Sequence, residues 1–219
     1  MTPATSKILS KSISLSFLLL GVFLLVQTVW PQINFSLKEM RLTGNSKPLT
    51  APQVLPTQIP GVSIQSTADN FPLIVSTTKR ATPAPYPYFN LTMPSINLHD
   101  EVVYVDSNDL TQGLIHLPAA PLPGEKGNVF ISGHSALPIF SKAKKALFAN
   151  LSNAKLGDQM VISALGTNFV YKVVDIKVVA PEDISVINPP NATGRYISLM
   201  TCVPPGFNTK RLVVVGKLI

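Results

Sequence analysis

The chain has 219 residues and a formal net charge of +7, enough sequence for one domain of ordinary size with appendages. The positive charge is concentrated in residues 1–85, which contain seven Lys and Arg residues and two acidic residues. Residues 86–219 contain eleven Lys and Arg residues and nine acidic residues. Because the second part is nearly neutral and has no dense basic stripe, nucleic-acid binding is excluded.

The first predicted element is an apolar helix. No charged residue occurs between Lys11 and Lys38, and the apolar run ends at Trp30. Its length is near the lower end of the roughly 17–25 residues that span a bilayer as a helix. A cleaved signal peptide would have a shorter apolar core and a cleavage site of small residues. We therefore predict a short tail at residues 1–11 and an uncleaved, single-pass transmembrane anchor at residues 12–30; lysines on both sides leave its orientation undecided.

Residues 31–85 have the composition of a linker. Prolines recur every four residues among Thr, Gln and Ser, at Pro48, Pro52, Pro56 and Pro60. This spacing excludes a helix or a central strand and favours extended chain. One segment, Phe71–Ser76, is more apolar than its surroundings. It could dock as an extra strand, lie across a site as a lid, or form a patch of packed linker.

Residues 86–219 have the signals of a β-rich catalytic or binding domain with short helices. Strands are predicted at residues 89–92, 101–105, 114–117, 129–133, 159–164, 169–179, 196–201 and 212–218. In the longest one, Val174, Ile176 and Val178 alternate with polar residues, which predicts one buried and one solvated face. Gly166 lies in the predicted turn before it, and a helix is predicted at residues 141–150. About eight strands in this length indicate a closed barrel or a sandwich.

Three chemically active side chains lie where predicted strands meet loops. Cys202, the only cysteine, ends one apolar run, Arg211 begins the next, and His134 follows a third. A thiol is nucleophilic as the thiolate, which a nearby imidazole or guanidinium favours. A lone cysteine is often just a small buried hydrophobe. In an exported chain, however, a free thiol risks oxidation, which favours a chemical role for Cys202.

The residues around Cys202 resemble a known family. Tyr196-Ile197-Ser198-Leu199-Met200-Thr201-Cys202 resembles the Thr-Leu-x-Thr-Cys signature of sortases, bacterial cell-surface cysteine transpeptidases, with Ser198 replacing the first Thr. Arg211, nine residues later, falls where sortases keep an arginine, and Ile131-Ser132-Gly133-His134-Ser135 resembles the Gly-His segment of the family. Leu91-Thr92-Met93-Pro94-Ser95-Ile96 is similar to the first sortase strand. The resemblance runs from about residue 86 to the C-terminus.

The resemblance implies an eight-stranded sortase-type β-barrel and a transpeptidation. Cys202 would attack the threonine carbonyl of a Leu-Pro-x-Thr-Gly-like sorting signal at the C-terminus of a protein substrate and form a thioester. His134 would act as acid and base, Arg211 would stabilise the oxyanion or hold the substrate backbone, and Thr201 would shape the site. The acceptor would be an amine of a cell-wall precursor or a pilin lysine. The catalytic domain would lie outside the membrane.

The loop after Cys202 resembles that of the pilin-polymerising branch of sortases. It reads Val203-Pro204-Pro205-Gly206-Phe207-Asn208-Thr209-Lys210-Arg211-Leu212. The upstream sequence has no Asp-Pro-aromatic lid motif, and no second membrane helix follows Ile219. Wall anchoring of proteins therefore stays as good an interpretation as pilus assembly.

The other candidates for a site are less specific. His99 lies beside two acids in a predicted turn and is interpreted as a solvated histidine, whereas His116 lies within a strand and is interpreted as packed and hydrogen bonded. Glu182 and Asp183 are better explained as a helix start than as calcium ligands, so no metal and no cofactor are predicted. Two other functions stay open: a purely hydrolytic cysteine peptidase, and a membrane-tethered binding or structural β domain with an inert thiol.

Overall fold

The computed structural model describes residues 15–27, 29–30, 33, 37, 61–66, 72–136, 145–205 and 209–219. The chain forms two compact units, Met1–Arg41 and Leu42–Ile219. In the first unit, residues 15–27 form a helix whose large apolar side chains are exposed. Among the described residues, no helix combines the length and the apolar character needed to cross a membrane. The anchor at residues 12–30 stays a prediction, since residues 12–14 and 28 lie outside the described part.

The second unit is built from β-strands joined by short 3-10 helices. The strands are β1 (Val62–Ser66), β2 (Pro72–Ser76), β3 (Tyr88–Met93), β4 (Leu98–Tyr104), β5 (Leu114–His116), β6 (Gly127–Ser132), β7 (Gln159–Ala164), β8 (Thr167–Val179), β9 (Arg195–Val203) and β10 (Lys210–Leu218). The 3-10 helices are Pro94–Ile96, Leu110–Gln112, Leu151–Asn153 and Ile184–Ile187. All eight strands predicted from the sequence are present, with boundaries that differ by a few residues.

Eight strands close into a barrel in the order β10-β8-β7-β3-β4-β5-β6-β9. Two neighbouring pairs, β4 with β5 and β6 with β9, are parallel, and the other pairs are antiparallel. The closed eight-stranded barrel implied by the family resemblance is therefore confirmed. Closure leaves the barrel without an unpaired edge. Strands β1 and β2 form a separate two-stranded sheet, so residues in the predicted linker are structured.

The two faces of β6, β9 and β10 have different surroundings. Successive side chains of a strand point to opposite faces of the sheet. Ile131, Leu199 and Val214 are fully buried on one face, which is the barrel interior. On the other face, a cluster that includes Phe130 and Met200 is covered by side chains from outside the barrel. Hence these strands are apolar at nearly every position instead of alternating.

The alternation predicted for the long strand β8 is broken by a β-bulge. The register with β10 shifts between Val215 and Gly216, so that Val215 pairs with Asp175 whereas Gly216 pairs with Val173. A bulge inserts one residue and exchanges the faces of the strand on either side of it. Val173 and Ile176 are consequently buried, and Val174, predicted to be buried, is exposed. That part of the prediction was wrong.

Three further local predictions met different outcomes. Strands β7 and β8 form the predicted hairpin, through a two-residue turn at Leu165 and Gly166, both with positive φ. Of the helix predicted at residues 141–150, residues 141–144 lie outside the described part, and residues 145–150 form coil and turn. The described half of that prediction is therefore not helical. Asp183 does begin a helical turn, since its side chain accepts a hydrogen bond from the Ser185 amide.

Candidate active site

The strand topology brings the three predicted site residues to one end of the barrel. Strands β6 and β9 are parallel neighbours, with Ser132 paired to Met200, so the residues that follow them emerge side by side. His134 follows β6, and Cys202 is the penultimate residue of β9. Strand β10 runs antiparallel to β9 and starts at this end, where Arg211 pairs directly with Cys202. Because paired residues place their side chains on the same face of the sheet, the thiol and the guanidinium face the same side.

The Thr201 side chain in β9 is hydrogen bonded to the backbone that follows β6. Its hydroxyl donates a buried hydrogen bond of 2.7 Å to the Gly133 carbonyl, and the Gly133 amide donates one of 3.1 Å to the Met200 carbonyl. A Cβ atom at Gly133 would lie 2.5 Å from the Leu114 side chain and 2.8 Å from that of Phe148, which favours glycine there. The two bonds fix the backbone immediately before His134. The sequence prediction of a shaping role for Thr201 is consistent with this position.

Burial dominates the electrostatics of the nucleophile. It raises the pKa of the Cys202 thiol to about 12, against the opposing influence of the Arg211 guanidinium. Burial also lowers the pKa of Arg211, while Cys202 and then Glu182 act to raise it. The guanidinium favours the thiolate, as the sequence predicted, but the cost of desolvating a charged sulfur is larger. In this conformation the thiol is neutral at physiological pH.

His134 and Arg211 are nearly as buried as the cysteine. The backbone carbonyl of His134 accepts a 2.9 Å hydrogen bond from the Phe148 amide, which fixes the loop after β6. A guanidinium nitrogen of Arg211 donates 3.0 Å to the Lys210 carbonyl, and only 1% of the residue is exposed. A buried guanidinium stays charged, so it supplies fixed donors in a medium of low dielectric constant.

The other two histidines lie elsewhere. His99 is exposed on β4, consistent with the solvated role predicted for it, although it lies in a strand rather than a turn. His116 is fully buried in β5, with Nε2 3.1 Å from the Pro121 carbonyl oxygen and Nδ1 3.6 Å from a carboxylate oxygen of Asp106. Its ring also packs edge-on against Phe89. His116 therefore has the packed, hydrogen-bonded position that the sequence predicted.

The sequence did not predict which residues cover Cys202. Cys202 lies in an apolar cluster with Leu73 and Val75 of β2, together with Leu110 and Ile115. Its exposed fraction is 0%. Of the loop that resembles the pilin-polymerising branch, residues 206–208 lie outside the described part of the chain.

The matches to known proteins fall on the part of the chain that forms the barrel. A family model described as the sortase domain matches residues 91–219. The chain belongs to the sortase family. Sortases are cysteine transpeptidases, and Cys202, His134 and Arg211 all lie within the matched region.

Individual sortases are similar over somewhat more than half of the chain. Sortase D of Bacillus subtilis (strain 168) is 29% identical over 131 residues, which span 58% of this chain and 61% of that protein. The solved structure of a lid mutant of sortase A from Corynebacterium diphtheriae has a TM-score of 0.54 and 30% identity, and covers 63% of this chain and 72% of that chain. The pilus-related sortase C of Group B Streptococcus also gives 0.54 and 30%, covering 63% and 69%.

Proposed function

We propose that this sortase is a cysteine transpeptidase that cleaves a Leu-Pro-x-Thr-Gly-like sorting signal and transfers the acyl part to a primary amine. The observation that carries the proposal is the register of β6, β9 and β10, which places His134, Cys202 and Arg211 at one end of the barrel. A nucleophile, a proton carrier and a permanent cation are the groups that acyl transfer through a thioester requires.

Each residue has a distinct role in the proposed reaction. The Cys202 thiolate attacks the threonine carbonyl carbon, and Arg211 stabilises the negative charge that develops on the carbonyl oxygen. The carbon–nitrogen bond to glycine then breaks, the Cys202 thioester remains, and the imidazolium of His134 protonates the departing amine. The neutral imidazole next takes a proton from the incoming amine as it attacks the thioester. This attack forms the new amide bond, releases Cys202 as the thiolate and leaves His134 as the imidazolium, so both groups return to their starting state.

A second candidate function is favoured by the burial of the nucleophile. A thiol that is fully buried, with a pKa of about 12, matches the inert cysteine of a tethered binding domain. A purely hydrolytic peptidase would have the same three side chains but no use for an amine. The three functions differ in what they require of Cys202 and of an added amine.

Replacement of Cys202 by alanine tests these functions against each other. We expect the variant to lose product formation from a sorting-signal peptide, and the wild-type chain to give more amide product when triglycine is added. Ser163→Ala, an exposed position on β7, is the matched control and should keep wild-type rates. The readout is mass spectrometry of the products and of a thioester on Cys202. Full activity in Cys202→Ala would refute the nucleophile, and hydrolysis unaffected by triglycine would support a peptidase.

The acceptor and the branch of the family belong to the same proposal. The loop after Cys202 resembles that of pilin-polymerising sortases, and one structurally similar protein is a pilus-related sortase C. Anchoring of proteins to a cell-wall precursor fits the same chemistry. A pilin lysine and a wall peptide are both primary amines, and competition between the two acceptors in the triglycine assay would rank them.

We further propose that residues 12–30 anchor the enzyme in the cell membrane with the barrel outside. Support comes from the uninterrupted apolar run and from residues 15–27, which form a helix with exposed Leu, Val and Phe side chains. We expect the full chain to stay in the membrane fraction after a high-salt wash and its barrel to be degraded by protease added to protoplasts. Release of the chain by salt, or protection from the protease, would contradict this arrangement.

A further inference from the structure

Ser135 follows His134 in the loop after β6, and its side chain is buried. Only 4% of the residue is exposed. Its hydroxyl oxygen has no hydrogen-bond partner among the residues that the structure describes. Buried polar side chains in folded proteins are nearly always hydrogen bonded, because an unpaired one destabilises the fold. Ser135 therefore places an unpaired polar group next to a residue of the proposed active site.

A second buried serine is fully paired. Ser198 is 1% exposed, and its hydroxyl donates a 3.0 Å hydrogen bond to the carboxamide oxygen of Asn128. The amide nitrogen of Asn128 in turn donates to the backbone carbonyls of Val186 and Ile187. Ser198 lies four residues before Cys202 in β9, which puts it about 13 Å from the nucleophile. The fold thus pairs a buried hydroxyl away from the nucleophile and leaves the one beside His134 unpaired.

The strand order puts Ser135 and Arg211 on opposite sides of the nucleophile. Strands β6 and β10 are the two neighbours of β9 in the barrel. Arg211, in β10, pairs with Cys202 from one side. The loop that contains His134 and Ser135 follows β6, on the other side. In the order of the strands, the thiol therefore lies between the guanidinium and this loop.

The two sides have different tasks in the proposed reaction. The guanidinium of Arg211 holds the carbonyl oxygen of the thioester, and the amine enters from the side on which His134 can take its proton. A neutral primary amine has two N–H groups, and only one of them is deprotonated. A hydrogen-bond acceptor for the other N–H would fix the direction of the nitrogen lone pair. A serine hydroxyl has lone pairs that can accept such a bond.

Burial does not separate Ser135 from the site. Cys202 and His134 have to contact substrate in the proposed reaction, and they are 0% and 3% exposed, similar to the 4% of Ser135. Consecutive residues have Cα atoms about 3.8 Å apart. An amine that reaches the imidazole of His134 therefore also comes close to the next residue.

We propose that Ser135 binds the amine acceptor, and that its hydroxyl accepts a hydrogen bond from the N–H that His134 does not deprotonate. This contact directs the nitrogen lone pair at the carbonyl carbon of the thioester. The inference rests on the proposed function, because it requires an amine that attacks a thioester on Cys202. In the free enzyme the unpaired hydroxyl lowers stability, which is a common cost of a residue that serves activity.

The test compares two acceptors in the full chain in detergent micelles, triglycine and a tripeptide in which the first glycine is N-methylglycine. The nitrogen of N-methylglycine has a single N–H, which His134 deprotonates, so no N–H is left for Ser135. We expect Ser135→Ala to lower kcat/KM for triglycine by about 5- to 10-fold, the usual effect of losing one hydrogen bond. The value for the N-methylated peptide should stay within about twofold of the wild type.

Ser198→Ala is the matched control, because it removes a buried hydroxyl that is paired. It should lower the melting temperature by roughly 2–6 °C and leave kcat/KM for both acceptors unchanged. Ser135→Ala should keep or raise the melting temperature, since it removes an unpaired polar group. Ser135→Thr keeps a hydroxyl and should recover most of the kcat/KM for triglycine. If the N-methylated peptide gives no product, this recovery decides alone.

The possible results separate the contact from the proposed function. Wild-type kcat/KM for triglycine in Ser135→Ala, with amide product that depends on Cys202, would refute the contact and keep the function. An equal loss with both acceptors would show that Ser135 acts through the position of His134, and would also overturn the contact. So would a fall in melting temperature as large as that of Ser198→Ala, because the hydroxyl would then be paired in the free enzyme. Absence of amide product from the wild type would refute the proposed function and the contact with it.

Discussion

Arg211→Gln is expected to lower kcat/KM for the sorting-signal peptide by about 10²- to 10³-fold, the usual effect of removing one donor to an oxyanion. Arg211 is buried, and it pairs with Cys202 in the β9–β10 ladder, so its charge acts in a dry site. Glutamine keeps hydrogen-bonding atoms but has no charge. Without the guanidinium, the pKa of the Cys202 thiol is also expected to rise further, which removes thiolate.

Two further variants separate charge from geometry. Arg211→Lys keeps the charge but replaces a planar fork of donors with a point charge. We expect its kcat/KM to lie between that of the wild type and that of Arg211→Gln. Lys210→Gln changes the exposed neighbour on the other face of β10 and should leave kcat/KM unchanged. Circular dichroism melting curves would show whether each variant is folded. A folded Arg211→Gln variant with kcat/KM close to that of the wild type would remove Arg211 from the mechanism.

The meeting of Cys202 and Arg211 could be predicted because it depends on local patterns. Two apolar runs joined by a short Pro- and Gly-containing loop make a hairpin, and residues at the end of one strand and the start of the next then lie opposite each other. His134 needed more than local pattern. Its place at the same end of the barrel as Cys202 follows from the parallel pairing of β6 with β9. From the sequence, only the family resemblance of the Gly-His segment identified it as a site residue.

What could not be predicted depends on contacts between distant parts of the chain. Phe71–Ser76 was recognised as apolar within a polar linker, but hydrophobicity does not say which surface a segment packs against. Leu73 reaches Cys202, 129 positions later in the chain. Similarly, the bulge in β8 is set by its register with β10, and so the exposure of Val174 was predicted wrongly.

Asp106→Asn is expected to lower the free energy of unfolding by about 2–3 kcal/mol. This loss is smaller than that from breaking a fully buried ion pair, because the Asp106 carboxylate is partly exposed. The Asp106 carboxylate accepts hydrogen bonds from Arg80 at 3.2 and 3.3 Å and from the Ala119 amide at 3.0 Å, and it faces the buried His116. Arg80 follows the β1–β2 hairpin in the chain, so Asp106 joins that segment to the barrel. The melting temperature should fall by roughly 5–10 °C for a chain of this length.

The dependence of the free energy of unfolding on pH, measured at acidic pH, tests whether the charge of Asp106 stabilises the fold. Hydrogen bonding with His116, followed by that with Arg80 and the Ala119 amide, holds the pKa of Asp106 far below its usual value, despite partial burial. The stabilisation is therefore complete above the pKa near 4 of an unfolded aspartate and is lost as the pH falls towards the folded-state pKa. Asp106→Asn should remove this contribution. The difference in free energy of unfolding between the wild type and the variant should therefore become smaller below about pH 4. Asp100→Asn, at an exposed carboxylate whose bond from Asn90 an amide oxygen can replace, is the matched control. A constant difference between the wild type and Asp106→Asn from neutral pH down to pH 2 would show that charge on Asp106 does not stabilise the fold.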